Sequence, residues 1–420
     1  MPNTIQKNIL FVLASRFTVI IVRLVTIYLL TTVLGTDGFG IYSFLITILE
    51  IAALVGRVGF GYSNVFFISK SEIDVGNAVG NSMIVALING VTIGLLLLLF
   101  PLIFRNMFSD ISSIMMICFS CSIGCYILYN YITDIVNGLE LFDMYYISFS
   151  LLWIVNGIFI VIFLLVGILN AETGFISFTL AIIVSLLLIL YCLRKKLKMT
   201  IKISFKDISR QIKYGFPLYI RDFFNEVNFR FIYLVIKQYF NSSILGIYSL
   251  AVQAAEVLLY IPRASFTVLF PKFSNYKGNK VHLLKKSLRI FALIFGLILV
   301  LSYLFVPIII KNFLPPEFVD SIIVFRILLI GIFCLGILNI IESYLLGEYR
   351  QKIIMLSSGI SAILLLVGSL LLVPKRGYIF AAIITSIIYV FYLSLTLILL
   401  IINNQKKKNR STIGNGIKVD

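Results

Sequence analysis

Residues 38–108 recur at 244–314, displaced by 206 positions without a gap. Gly40-Ile41-Tyr42-Ser43 aligns with Gly246-Ile247-Tyr248-Ser249, Glu50 with Glu256, Arg57 with Arg263, and Pro101 with Pro307; 19 of 71 positions are identical. An apolar alphabet raises chance identity, yet it does not place a Glu and an Arg seven apart in both copies. The chain is therefore expected to consist of two homologous halves. Duplicated halves in a membrane protein commonly place a site between them, near the bilayer midplane.

The membrane reading follows from composition. The chain is 60% hydrophobic and 13% charged, against roughly 25% charged residues in a soluble domain. A helix crossing a hydrocarbon core of ~30 Å needs about 20 mostly apolar residues. Twelve such runs are expected, at roughly 9–34, 39–69, 79–104, 112–138, 145–169, 174–193, 214–237, 243–271, 287–310, 319–346, 353–373 and 377–402. Six fall in each half. The fold class is an all-α integral membrane protein with twelve transmembrane helices in two six-helix bundles. Its expected parts are residues 1–200, 201–402 and a basic cytoplasmic tail, 403–420. Arg16 and Arg23 interrupt the first run, so it is not read as a cleaved signal peptide.

The net charge of +17 would suit a nucleic-acid binder, but its distribution is topological. With a cytoplasmic N-terminus, cytoplasmic segments carry 23 Lys and Arg and outer loops five. This is the positive-inside bias, counted on Lys and Arg alone. It puts both termini in the cytoplasm of a multi-pass cell-membrane protein and points to contact with membrane lipid rather than nucleic acid. Six spans per half make the repeats parallel. All five Cys lie in apolar spans; Cys118, Cys121 and Cys125 share a helix face but lack a His or fourth thiol, so no metal site or disulfide is expected. The linker 194–213 is basic. Within it Phe205, Ile208 and Ile212 alternate at helical spacing with Lys206, Arg210 and Lys213, as in an amphipathic helix on the inner membrane surface. A solvated basic linker is the alternative over 194–202.

The candidate site residues are ionisable groups at apparent membrane depth: Arg16, Arg23, Arg57, Arg221, Arg230, Arg263 and Arg326, with Glu50, Asp134, Asp222, Glu226, Glu256 and Glu342. Such groups face an interior or a water-filled cavity. Every buried cation is Arg, whose planar fork holds phosphate oxygens or carboxylates bidentately. Glu50 and Arg57 are seven apart, about 10.5 Å along a helix, so their partners must come from elsewhere. Glu226 and Arg230 can pair as i,i+4. Arg16, Arg23, Arg57, Arg230 and Arg263 are read as ligands for an anionic group. Asp222, Asn225 and Glu226 are read as candidates for a coupling cation, with pairing to Arg221 and Arg230 as the competing reading. Glu50, Glu256, Arg326 and Glu342 are read as structural ion-pair residues, Arg326 with Glu342. Pro217 and Pro262 are expected to bend their helices, with Gly56 as the first-half counterpart of Pro262.

Several motifs in order resemble the polysaccharide repeat-unit flippases, of the O-antigen and capsule type, in the multidrug/oligosaccharidyl-lipid/polysaccharide exporter superfamily. They are Phe39-Gly40-Ile41-Tyr42 with its copy Leu245-Gly246-Ile247-Tyr248, Tyr214-Gly215-Phe216-Pro217, and Asn312-Phe313-Leu314-Pro315-Pro316-Glu317-Phe318 followed by Arg326-Ile327-Leu328. The resemblance implies two bundles forming a V, and carriage of undecaprenyl-pyrophosphate-linked oligosaccharide from the cytoplasmic to the outer leaflet of a bacterial inner membrane. It implies arginines on the pyrophosphate, a coupling ion (Na+ or H+) but no other cofactor, and polysaccharide polymerase and chain-length proteins as partners. A multidrug cation antiporter of the same superfamily and a membrane polysaccharide polymerase or ligase are the rival readings. The second is an enzyme, and that class carries a large outer loop this chain lacks.

Overall fold

The structure is a computed structural model that describes the backbone of residues 2–197, 200–276 and 278–415, and their side chains except at 2–16, 142, 221, 275 and 406–415. The described residues form helices α1 (Pro2–Arg57), α2 (Phe60–Ser69), α3 (Val75–Ile103), α4 (Arg105–Phe108), α5 (Ser113–Gly138), α6 (Phe142–Leu165) and α7 (Ala171–Leu197). There follow α8 (Phe205–Tyr239), α9 (Ser242–Leu258), α10 (Tyr260–Asn275), α11 (Lys280–Phe313), α12 (Ser321–Gly347), α13 (Gln351–Arg376) and α14 (Tyr378–Asn415). A single 3-10 turn, Pro316–Phe318, precedes α12.

Among the described residues ten helical stretches are long and apolar enough to cross a membrane, which makes this a multi-pass membrane protein. The ten differ from the twelve expected runs at two places. The runs 9–34 and 39–69 meet in α1, whose only break is Gly35 (φ 62°, ψ −170°). The equivalent second-half position is the open turn at Phe240–Asn241, between α8 and α9. The run 214–237 falls within α8, whose charged residues keep it from qualifying by apolarity.

The chain forms two compact units, Met1–Leu250 with Ile310–Asp320, and Ala251–Ile309 with Ser321–Asp420. The homology boundary near residue 200 and this packing boundary near 250 are different things, because α8 packs with the first unit. Two contacts explain why. Near its start, Gln211 joins a fully buried amide network: its side chain donates to Asn64 (2.7 Å) and accepts from Asn81 (3.1 Å), while Asn64 donates to Ser82 (3.0 Å). Each amide answers another, so the burial leaves few groups unmet. Near its end, buried Lys237 meets Asp110 (2.5 Å), which also accepts from Ser242 (2.6 Å).

The same left-handed closing turn follows α2, α5, α6 and α12, at Ser71, Glu140, Gly167 and Tyr349. Two residues past α5 lies Glu140 at φ 57°, and two past α12 lies Tyr349 at φ 57°. The closing bonds match: Leu141 N to Val136 O and Glu140 N to Asn137 O, then Arg350 N to Leu345 O and Tyr349 N to Leu346 O. In each case a left-handed residue lets the next amide reach back to the helix's open carbonyls.

The breaks near the duplicated Arg are built differently in the two halves. Pro262 has no N–H for Leu258, and α9 stops at Leu258 before α10 begins at Tyr260. In the first half the break lies after Arg57, not at Gly56: Val58 (φ 43°) and Gly59 (φ 75°) are both left-handed. Gly56 instead admits Ile127, whose Cδ1 lies 2.3 Å from where a Cβ would sit. Pro217 lies inside α8, which begins at Phe205 and runs unbroken to Tyr239; one lost hydrogen bond does not end the helix there.

Candidate functional site: intramembrane charges around a broken helix

The site of the first unit is assembled at the end of α1. A helix ending inside a membrane leaves carbonyls that water cannot satisfy, so protein groups must. Tyr131 Oη on α5 donates to Arg57 O (2.9 Å) and Gly56 O (3.3 Å), and Asn89 Nδ2 on α3 donates to Gly56 O (2.7 Å). A β-branched residue at positive φ is costly, by about 1–3 kcal/mol, and such strain clusters at functional sites. Val58 is such a residue.

With the helix stopped there, Arg57 turns its guanidinium to Asp134 on α5, Nη2 to Oδ2 at 2.9 Å. Gly61 makes room: a Cβ there would lie 2.0 Å from Asp134 Oδ2. Glu50, two turns back on α1, meets Arg230 on α8 at 2.9 Å, and Arg230 also holds Glu226 at 3.2 Å. Both partners come from other helices, as the seven-residue spacing requires. Asp222, one turn before Glu226 on α8, accepts a short hydrogen bond from Tyr62 on α2. Glu226 is thus held by an arginine and Asp222 by a tyrosine, with Asn225 between them on the helix.

The remaining predicted residues are placed elsewhere. The guanidinium of Arg23 lies 4.5 Å over the ring of Trp153 on α6. The side chains of Arg16 and Arg221 lie outside the described residues. In the second unit Arg263 is exposed, and no carboxylate pairs with it among the described residues. Glu256 lies seven residues before it, on α9. Arg326 and Glu342, expected as a pair, do not meet. They are about 24 Å apart along α12 at 1.5 Å per residue. Arg326 stacks over Tyr303 at 4.5 Å, and buried Glu342 accepts from Tyr392 at 3.2 Å. No group of three His, Cys, Asp or Glu able to hold a metal ion occurs among the described residues.

Sequence reasoning counted Asp134 among the intramembrane acids but gave it no role. Tyr62, Tyr131 and Gly61 carried no signal, since tyrosine and glycine are ordinary in membrane helices.

Chemically, the first unit offers two arginines that hold three carboxylates and a fourth carboxylate bound by a hydroxyl; among the described residues the second offers Arg263, a guanidinium with no carboxylate on it. The lipid II flippase MurJ in an inward closed conformation matches with a TM-score of 0.75 at 18% identity, covering 93% of this chain and 87% of that one. An inward-facing multidrug resistance MATE family transporter of the MOP superfamily matches at 0.75 and 14% identity, over 95% of this chain and 99% of that one. A MOP superfamily transporter from Pyrococcus furiosus Vc1 matches at 0.59 and 15% identity, over 95% of each chain. At these identities the likeness establishes the fold alone; the three neighbours are a flippase and two transporters. The family model described as "Polysaccharide biosynthesis protein" matches residues 5–277, and the chain belongs to that family. No curated protein matches it in sequence.

Proposed function

We propose that this protein is a flippase that carries a lipid-linked oligosaccharide repeat unit, its lipid joined through pyrophosphate, from the cytoplasmic to the outer leaflet of a bacterial inner membrane. Both termini are then cytoplasmic, and the next enzymes are a polysaccharide polymerase and its chain-length partners. The observation that carries this reading is Arg263: a guanidinium in a membrane-spanning stretch, exposed and without a carboxylate among the described residues. Its copy Arg57 is neutralised by Asp134. A free intramembrane cation is costly unless a ligand supplies the counter-charge, and pyrophosphate oxygens suit a guanidinium fork. Family membership in polysaccharide biosynthesis supports the sugar part, and the lipid II flippase among the structural neighbours supports the lipid-linked part. Of the other arginines that the sequence offers as anion ligands, Arg57 and Arg230 are held by carboxylates and Arg23 lies over Trp153, while the side chain of Arg16 lies outside the described residues.

Coupling to an ion gradient falls to Asp222, which accepts a hydrogen bond from Tyr62 and from no arginine among the described side chains. Glu226 is secondary, since Arg230 holds it. The second reading, a multidrug cation antiporter, draws support from the four acids Glu50, Asp134, Asp222 and Glu226 around the broken helix and from the MATE neighbours.

The deciding experiment reconstitutes the protein in proteoliposomes and follows two cargoes: a polyprenyl-pyrophosphate oligosaccharide scored by its exposure to an external sugar-modifying enzyme, and a fluorescent organic cation. Protein-dependent exposure of the oligosaccharide supports the flippase. Gradient-driven movement of the cation alone supports the antiporter.

A further inference from the structure

We propose that the connection from α7 to α8 is an anionic-lipid docking strap, in which Ile201, Ile203 and Phe205 enter the inner-leaflet interface and Lys202, Lys206 and Lys213 take lipid phosphates.

The strap is built, not loose. Residues 200–204 have no helical structure, yet their backbone is clamped along α3. Lys202 N donates to Gly76 O (3.3 Å) and Ser204 N to Asn81 Oδ1 (2.8 Å). Gly76 and Gly80 let the chain lie this close: a Cβ at either would be 2.0 Å from Thr200 O or 2.1 Å from Lys202 O. Ser204 then caps α8 by accepting from Asp207 N.

Clamping the backbone fixes where the side chains go. In an extended segment, residues i, i+2 and i+4 share a face. Ile201 (49% exposed), Ile203 (50%) and Phe205 (75%) follow that spacing; the isoleucines are half open and Phe205 is mostly so among the described residues. Lys202, Lys206 and Lys213 are also exposed, as are Arg194, Lys195 and Lys196 in the last turn of α7. The segment begins three residues after the membrane-spanning stretch Ala171–Leu197 ends, which puts it at headgroup level rather than out in solution. Apolar groups interleaved with lysines suit that depth: the rings and branches enter the acyl boundary while the ammonium groups reach up to phosphate. Lysines near an anionic leaflet are attracted to it.

This face is not the one the linker's helical spacing suggests. Ile208 and Ile212 are half-buried, and Gln211 between them is wholly buried in the amide network. Arg210 is taken by Glu72 and lies 4.4 Å over the ring of Phe67. The first turns of α8 therefore face the protein, and the lipid-facing part is the extended link with Phe205. Because α8 also carries Asp222, Glu226 and Arg230, the strap sets the depth of the charged cluster.

The test uses the full chain in nanodiscs and does not depend on transport. The chain has one tryptophan, Trp153, so Phe205→Trp adds a second emitter whose signal is the difference from the parent. The added emission is expected to be quenched by brominated phosphatidylglycerol at least about twofold more than by brominated phosphatidylcholine at equal mole fraction. Lys202→Gln/Lys206→Gln/Lys213→Gln in the same background should abolish that difference while bromolipid quenching persists. Quenching by aqueous acrylamide with none by either bromolipid would overturn the proposal, since the strap would then face water or a soluble partner. Equal quenching by both lipids in the unmodified strap would overturn its anionic selectivity.

Discussion

Gly40 packs backbone to backbone against Gly246, its own copy in the repeat. A Cβ at Gly40 would lie 1.8 Å from Ser242 O, and one at Gly246 would lie 2.0 Å from Thr36 O. Thr36 and Ser242 are themselves 206 positions apart. The contact therefore exchanges with itself, residue i touching j′ and j touching i′, as at a two-fold axis. The duplicated Gly-Ile-Tyr-Ser is thus the point where the two copies cross, and the glycines are there because nothing larger fits.

Gly40→Ala and Gly246→Ala should each destabilise the protein, by about 1–3 kcal/mol or more, because the methyl meets carbonyl and not a movable side chain. The two losses should be similar. Thermal unfolding in detergent measures this. Unchanged unfolding temperatures would mean that the helices do not cross at these glycines.

Breaking the Arg57–Asp134 pair from either side should cost about 3 kcal/mol, because it leaves one charge uncompensated at membrane depth. Arg57→Gln combined with Asp134→Asn should recover part of that cost, giving a coupling energy of at least about 1 kcal/mol in a double-mutant cycle. Simple additivity would show that the pair is not formed.

The amide network makes a different prediction. Gln211→Ala removes the partner of both Asn64 and Asn81, and each stranded buried amide costs about 1–3 kcal/mol. Deuterium exchange should then rise at the start of α8 and in α2. No change there would place the hold on α8 elsewhere.

The pH response is set at the loop residue Asp110. Burial would raise its pKa, but hydrogen bonds from Lys237, Ser242 and Ser109 outweigh it and bring the value down to about 2. A carboxyl depressed in the folded state stabilises above its unfolded pKa and loses that contribution as pH falls through the folded one. The gap in unfolding temperature between wild type and Asp110→Asn should be constant from neutral pH to about 4 and close between about 4 and 2. A gap that closes above pH 5 would contradict the pairing.

Much of this was legible in the sequence because it is local or periodic. The offset of 206 aligned Glu50 with Glu256 and Arg57 with Arg263, and the seven-residue spacing alone forced their partners onto other helices. Which helix supplied them was not legible: Asp134 lies 77 residues from Arg57, and Arg230 lies 180 from Glu50. The amide network joins Asn64, Asn81 and Gln211 across 147 residues, and isolated amides carry no mark of which partner they meet. The break falls at Val58 and Gly59 rather than at Gly56, the counterpart of Pro262, because the left-handed turn uses the glycine after Arg57. Arg326 and Glu342 were joined only by sharing a helix, and sixteen residues of rise separate them.

Asp222 carries the coupling prediction. Asp222→Asn should abolish the gradient dependence of transport while cargo still binds, and Glu226→Gln should retain it, because Arg230 and not an ion holds Glu226. Full gradient dependence in Asp222→Asn would remove this residue from coupling.

The most direct measurement is the initial rate of oligosaccharide flipping in proteoliposomes by wild type, Arg263→Lys and Arg326→Lys at matched protein levels. Lys keeps the charge but loses the bidentate fork. Arg263→Lys should flip about tenfold more slowly, the equivalent of one charge-assisted hydrogen bond, while Arg326→Lys, stacked on Tyr303, should match wild type. Wild-type flipping in Arg263→Lys, or equal losses in both variants, would contradict a phosphate-binding role for the unpaired arginine.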